Sequence, residues 1–130
     1  MKISIIKRII PIALIAILAS CGQFEEVRMG YPKTIKFTSE GGEINVSGDR
    51  RLTHFGISPD GKTMVDSLNN WIFENDWLTI KAVDDPEYDV STSKFVFIAK
   101  PLTGKKKRTA MCYGYAAYNY TTIKVTQYPD

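Results

Sequence analysis

Residues 108–127 read RTAMCYGYAAYNYTTIKVTQ, and the way residue types alternate along them decides what kind of fold the chain can adopt. Ala110, Cys112, Ile123 and Val125 fall at every second position and are small or apolar, while Met111, Tyr113, Tyr115, Thr122 and Lys124 fill the places between. A period of two belongs to strands, whose successive side chains point to opposite faces. If the two runs pair through a two- or four-residue loop, Tyr115 faces Tyr118 and Tyr113 faces Tyr120. That register puts Ala110, Cys112, Ile123 and Val125 on one face as core, and all four tyrosines on the other with Met111, Thr122 and Lys124. An odd loop or a bulge would break the common face.

The same alternation recurs upstream. Ile35 and Phe37 alternate with Thr34, Lys36 and Thr38, Glu40-Gly41-Gly42 marks a turn, and Ile44 and Val46 alternate with Glu43, Asn45 and Ser47, which predicts a hairpin. Further strands are expected at Leu52–Ser58, Trp71–Glu74, Leu78–Val83 and Lys94–Ala99, separated by turns at Pro59-Asp60-Gly61, Asp84-Asp85-Pro86 and Pro101–Gly104. From Lys33 onward no stretch keeps apolar residues at helical spacing for more than a turn. The expectation is an all-β antiparallel sandwich of seven or eight strands.

The first twenty residues have a different character. Lys2, Lys7 and Arg8 precede an apolar run from Ile9 to Ala19, with no acidic residue, as in a secretory signal. As a helix that run would rise about 16 Å, roughly half of a bilayer's hydrocarbon core. It ends at Leu18-Ala19-Ser20-Cys21, which resembles the bacterial lipobox, so Cys21 is expected to carry a diacylglycerol and to become the first residue of the mature chain. The domains read as a lipoprotein signal peptide over 1–20, a lipidated tether over 21–32 with no period, and a β-sandwich over 33–130. The predicted location is the outer membrane, lipid-anchored, on its cell-surface or periplasmic face. Glu25-Glu26 looks like a degenerate surface-export mark, or is simply a pair of solvated charges.

Charge and cysteine content narrow the function. The 130 residues contain 17 Lys and Arg against 14 Asp and Glu, and loss of the signal leaves 14 against 14. A balanced charge gives no electrostatic case for a nucleic-acid partner. With Cys21 acylated, Cys112 is a lone thiol and no intramolecular disulfide is expected.

A family resemblance rests on the order of four elements. A Gly-Gly turn, Asn70-Trp71 followed by Trp77-Leu78-Thr79-Ile80, then Lys107-Arg108-Thr109-Ala110, and a terminal Thr122-Ile123-Lys124-Val125-Thr126-Gln127 resemble the BACON domain, the Bacteroidetes-associated carbohydrate-binding module. The match covers about Lys33 to Pro129. It implies an immunoglobulin-like sandwich on an envelope protein that handles glycans or positions enzymes that do. Two departures stand out. Gly48–Asn69 exceeds the family's usual connection and suggests an extra hairpin or ordered loop, and Asp130 follows the last strand so closely that the module is expected to act alone or through partners.

Candidate sites follow from chemistry. Tyr113, Tyr115, Tyr118 and Tyr120 are the candidate ligand surface, because sugar C–H groups stack on aromatic faces while phenol hydroxyls hydrogen-bond; cross-strand aromatic pairs also stabilise sheets with no ligand at all. Trp71 and Trp77 are secondary candidates. At least one is expected in the core, and any exposed one would be a second sugar platform. Asp84, Asp85, Glu87 and Asp89 around Pro86 read as a solvated turn, and Lys105-Lys106-Lys107-Arg108 as a solubilising loop. No catalytic triad, metal-ligand spacing or cofactor motif is present, and His54 is the sole imidazole. The function read from the sequence is a non-catalytic, membrane-anchored glycan-binding or adhesion module; the alternative is a structural or protein-docking subunit of an envelope complex. The expected partners are the membrane, through acylated Cys21, and a glycan or an envelope protein.

Overall fold

The computed structural model describes residues 24–65, 71–83 and 92–130. The expected signal peptide, the acylated Cys21 and the acidic turn at 84–89 lie outside the described residues. Alternation of buried and exposed positions sets most strand segments: β1 (Glu25–Glu26), β2 (Thr34–Phe37), β3 (Gly42–Leu52), β4 (His54–Ser58), β5 (Lys62–Val65), β6 (Trp71–Glu74), β7 (Leu78–Ala82), β8 (Thr92–Ala99), β9 (Arg108–Ala116) and β10 (Asn119–Gln127). Among the described residues there is no helix.

The strands form two sheets, as expected for an all-β sandwich. In the first, β4, β9 and β10 are antiparallel neighbours, and β1 and β2 run parallel to the two ends of β10. The second has the order β3-β8-β7-β6-β5, antiparallel throughout. Inward side chains of both sheets make the core, among them Ile35, Phe37, Ile57, Cys112, Ile123 and Val125 from the first and Leu78, Ile80, Phe95 and Phe97 from the second. Phe55 joins them, stacked 4.8 Å from Phe95 and 5.0 Å from Phe73 between ring centroids. Interdigitation of this kind closes a sandwich, since each sheet is apolar on one face only.

Two expectations are corrected. Residues 34–47 do not form a hairpin, because Thr34–Phe37 pairs with β10 in one sheet and Gly42–Ser47 with β8 in the other. The Gly-Gly turn carries the chain across the sandwich instead. Gly41 sits there at φ 77°, where a side chain would run into the carbonyl of Ala99. The described part of the long connection at 48–69 is ordered, as expected: β3 runs on to Leu52, β4 joins the first sheet, and β5 pairs antiparallel with β6 in the second.

Residues 24–32 are not a free tether. Val27 donates its backbone N–H to the Tyr120 carbonyl at 2.9 Å, and Asp49 to that of Met29 at 2.7 Å. Tyr31 is buried, its hydroxyl donating to the Arg50 carbonyl at 2.6 Å and its ring against Phe95. Burial pushes the Tyr31 pKa up to about 12, with nearby Arg51 lowering it and Asp49 raising it by smaller amounts. A segment can be fixed without periodicity when one aromatic side chain and a few backbone bonds hold it.

Candidate functional site

The strand pair that decides the fold also carries the site. The β9–β10 turn is Ala117-Tyr118, with Ala117 at φ 54°. A positive φ at the first central residue alone suits a two-residue hairpin loop, though alanine is strained there. Tyr120 therefore faces Tyr115, and Thr122 faces Tyr113. The pairing differs by two residues from the one expected, in which Tyr115 met Tyr118 and Tyr113 met Tyr120. β9 runs on to Ala116 and β10 starts at Asn119, and Ala116 and Thr121 are both buried.

A slip of two keeps each side chain on its face. Ala110, Cys112, Ile123 and Val125 point into the core, and Met111, Tyr113, Tyr115, Tyr120, Thr122 and Lys124 point outward. Tyr118 leaves the row for the turn, where it is 64% exposed. Cys112 is a free thiol with no exposed surface, and burial raises its pKa far above the ordinary thiol value.

Neighbouring strands extend the tyrosine row sideways. His54 of β4 stands opposite Tyr115, Tyr115 opposite Tyr120, and Tyr120 beside Glu26 of β1. Ring centroids of Tyr115 and Tyr120 are 5.8 Å apart at 34°, and Tyr113 meets Tyr115 edge-on at 6.4 Å. The Tyr113 ring lies over Gly56, where an added Cβ would come within 3.0 Å of it. Phe24 completes the cluster, 5.6 Å from Tyr115 in an edge contact and 6.3 Å from Tyr118.

Phe24, Thr53, His54, Tyr115, Ala117 and Tyr120 line an open groove of about 610 Å³. Its lining includes polar groups, with Thr53 Oγ1 3.2 Å from His54 Nδ1; beyond the lining, Thr122 donates to the Glu26 carboxylate at 2.5 Å, which Arg28 also meets at 3.4 Å. Aromatic faces beside hydroxyls and an imidazole can hold a ring that is apolar on one side and hydroxylated at its edge. Among the described residues no three His, Cys, Asp or Glu side chains stand together as a metal site. Sequence reading picked out the tyrosines but missed Phe24, Thr53 and His54. The outward phase of His54 was legible from the alternation of His54 and Gly56 with Phe55 and Ile57, whereas Phe24 has no periodic signature.

The remaining candidates divide between core and surface. Trp77 is buried, and Trp71 on β6 is 38% exposed. The strand breaks between them because Asn75 Oδ1 accepts the backbone N–H groups of Trp77 and Leu78 at 3.0 and 2.8 Å. Arg108 is part of the fold. Its guanidinium lies 4.9 Å over the Trp77 ring, Nε donates to Gln127 Oε1 at 2.8 Å, and Nη2 donates to the carbonyls of Lys100 and Pro101. Lys105, Lys106 and Lys107 stay exposed in the loop before it.

No family model and no curated protein matches this chain. An NMR structure of a protein from Bacteroides thetaiotaomicron is similar over 75% of this chain and 81% of its own, at a TM-score of 0.46 and 15% identity.

Proposed function

We propose that the chain is a lipid-anchored protein of the bacterial outer membrane whose BACON-like, immunoglobulin-like sandwich binds a glycan, without catalysis, in the groove beside Tyr115 and Tyr120. The observation that carries this reading is the groove itself: Phe24, Tyr115 and Tyr120 gather at its wall with Thr53 and His54 alongside. Single exposed aromatics are ordinary on protein surfaces; a cluster with hydrogen-bonding groups in one concavity is the arrangement sugar recognition needs. The lipobox-like Leu18-Ala19-Ser20-Cys21 supports the anchor, and the ordered motifs that resemble the BACON family support the glycan class.

Docking of an envelope protein is the competing reading, and it would fall on β3, an eleven-residue edge of the second sheet. A register irregularity between Ser47 and Leu52 interrupts that edge, and Glu43, Asn45 and Ser47 are exposed along it. Bulges and charge are how sheet edges resist strand addition, so the groove is the better site. A glycan array probed with the chain from Gly22 onward, which keeps Phe24, tests the reading. Binding that disappears on Tyr115→Ala supports it; an array with no binder, or one indifferent to Tyr115, refutes it.

A further inference from the structure

Phe24, Tyr118 and Arg50 gather at the end of the sandwich where β9 turns into β10. Phe24 is 57% exposed and its ring lies 6.3 Å from that of Tyr118, which is more exposed still. Arg50, also exposed, donates Nη2 to the Ala116 carbonyl at 3.3 Å, so its guanidinium sits at the base of the same turn. Exposed aromatic rings next to a cation are the combination found where proteins meet lipid headgroups, the rings spanning the apolar boundary and the cation near phosphate.

Chain length gives the second, independent observation. Phe24 is three residues beyond Cys21, and three residues reach about 11 Å even when fully extended. Since β1 starts at Glu25 and is paired with β10, no slack remains on the protein side. A diacylglycerol on Cys21 holds that residue at headgroup level. The opposite end of β9 is eight residues from Ala116, about 27 Å away at the rise of a strand.

We propose that acylated Cys21 holds this end of the sandwich against the bilayer, with Phe24 and Tyr118 in the headgroup layer and Arg50 within reach of lipid phosphates. The inference rests on the lipoprotein part of the proposed function and shares Phe24 with its glycan part, which puts the groove near the membrane-facing end. It sets the orientation of the domain: strands β9 and β10 rise away from the membrane, and the loop of Lys105 to Lys107 stands farthest from it.

The test uses the full-length chain, expressed as a lipoprotein and reconstituted into phosphatidylethanolamine and phosphatidylglycerol vesicles that contain lipids brominated near the headgroup. Tyr118→Cys and Lys106→Cys each carry a fluorophore. Both positions are exposed, and buried Cys112 does not compete for the label. Quenching several-fold stronger at position 118 than at 106 is expected. Equal or absent quenching at 118, in a chain that incorporates a palmitate analogue and binds vesicles, overturns the inference while the lipoprotein reading stands. A chain that neither incorporates the analogue nor binds vesicles overturns both.

Discussion

At one end of the β9–β10 pair Arg108 and Gln127 are locked into the fold; at the other Tyr115 and Tyr120 meet each other, Tyr113 and Phe24, and border an open groove. Gln127 is fully buried, accepts from Arg108 Nε through Oε1, and donates Nε2 to the carbonyls of Lys100 at 2.8 Å and Thr38 at 3.0 Å. Every polar atom of its side chain has a partner, as burial demands. Seven residues along β9 the same ladder leaves aromatic rings and hydroxyls facing an open groove. One strand pair thus holds the sandwich together at one end and presents chemistry at the other, and substitutions at the two ends should separate stability from binding.

The largest loss is expected at the locked end. Trp77→Ala removes a buried indole and the ring beneath Arg108, and should cost about 3–5 kcal/mol in a denaturant titration. Gln127→Ala strands the Arg108 Nε donor and leaves the carbonyls of Lys100 and Thr38 with one donor each, from Arg108 Nη2 and the Gly41 N–H, and should cost about 1–3 kcal/mol. In both variants, binding by the fraction still folded is expected to be unchanged.

The N-terminal segment that brings Phe24 to the groove is held by Tyr31 and can be challenged with pH. Burial raises the Tyr31 pKa from 10.0 to about 12, so the folded state keeps a proton that the unfolded state loses. Stability from this group is therefore complete below pH 10 and lost as pH rises toward 12. Tyr31→Phe should flatten the decline in melting temperature over that window and leave the decline due to other groups.

What the sequence revealed and what it hid divide along physical lines. Period two along 108–127 assigns each residue to a face, and the assignment of Ala110, Cys112, Tyr113 and Tyr115 agrees with the structure because any even slip preserves it. Period two does not name the partner strand. Ile35 and Phe37 would point inward either in a hairpin with Ile44 and Val46 or, as they do, beside β10 in the other sheet. The exact pairing of β9 with β10 depended on Ala117 adopting a positive φ that alanine seldom takes. Phe24 was hidden altogether, since contacts made by one ring outside any repeat leave no pattern.

Ala117 offers the smallest and most local probe at the open end. Glycine adopts φ 54° without strain, so Ala117→Gly should stabilise the domain by about 0.5–1 kcal/mol, the relief of left-handed strain less the added freedom of the unfolded chain. A rise in melting temperature is the expected result, with any change in the groove's affinity limited to the loss of one methyl group from its lining.

The most direct measurement titrates one array-identified glycan against Tyr115→Ala combined with Tyr120→Ala and follows unfolding of the same samples. The two rings face each other across β9 and β10. Their loss should cost the fold only about 0.2–1 kcal/mol beyond strand-propensity effects. Binding should fall below detection while the domain stays folded. A double variant that keeps full affinity, or that unfolds as readily as Trp77→Ala, would contradict the claim that this end of the strand pair is the recognition surface.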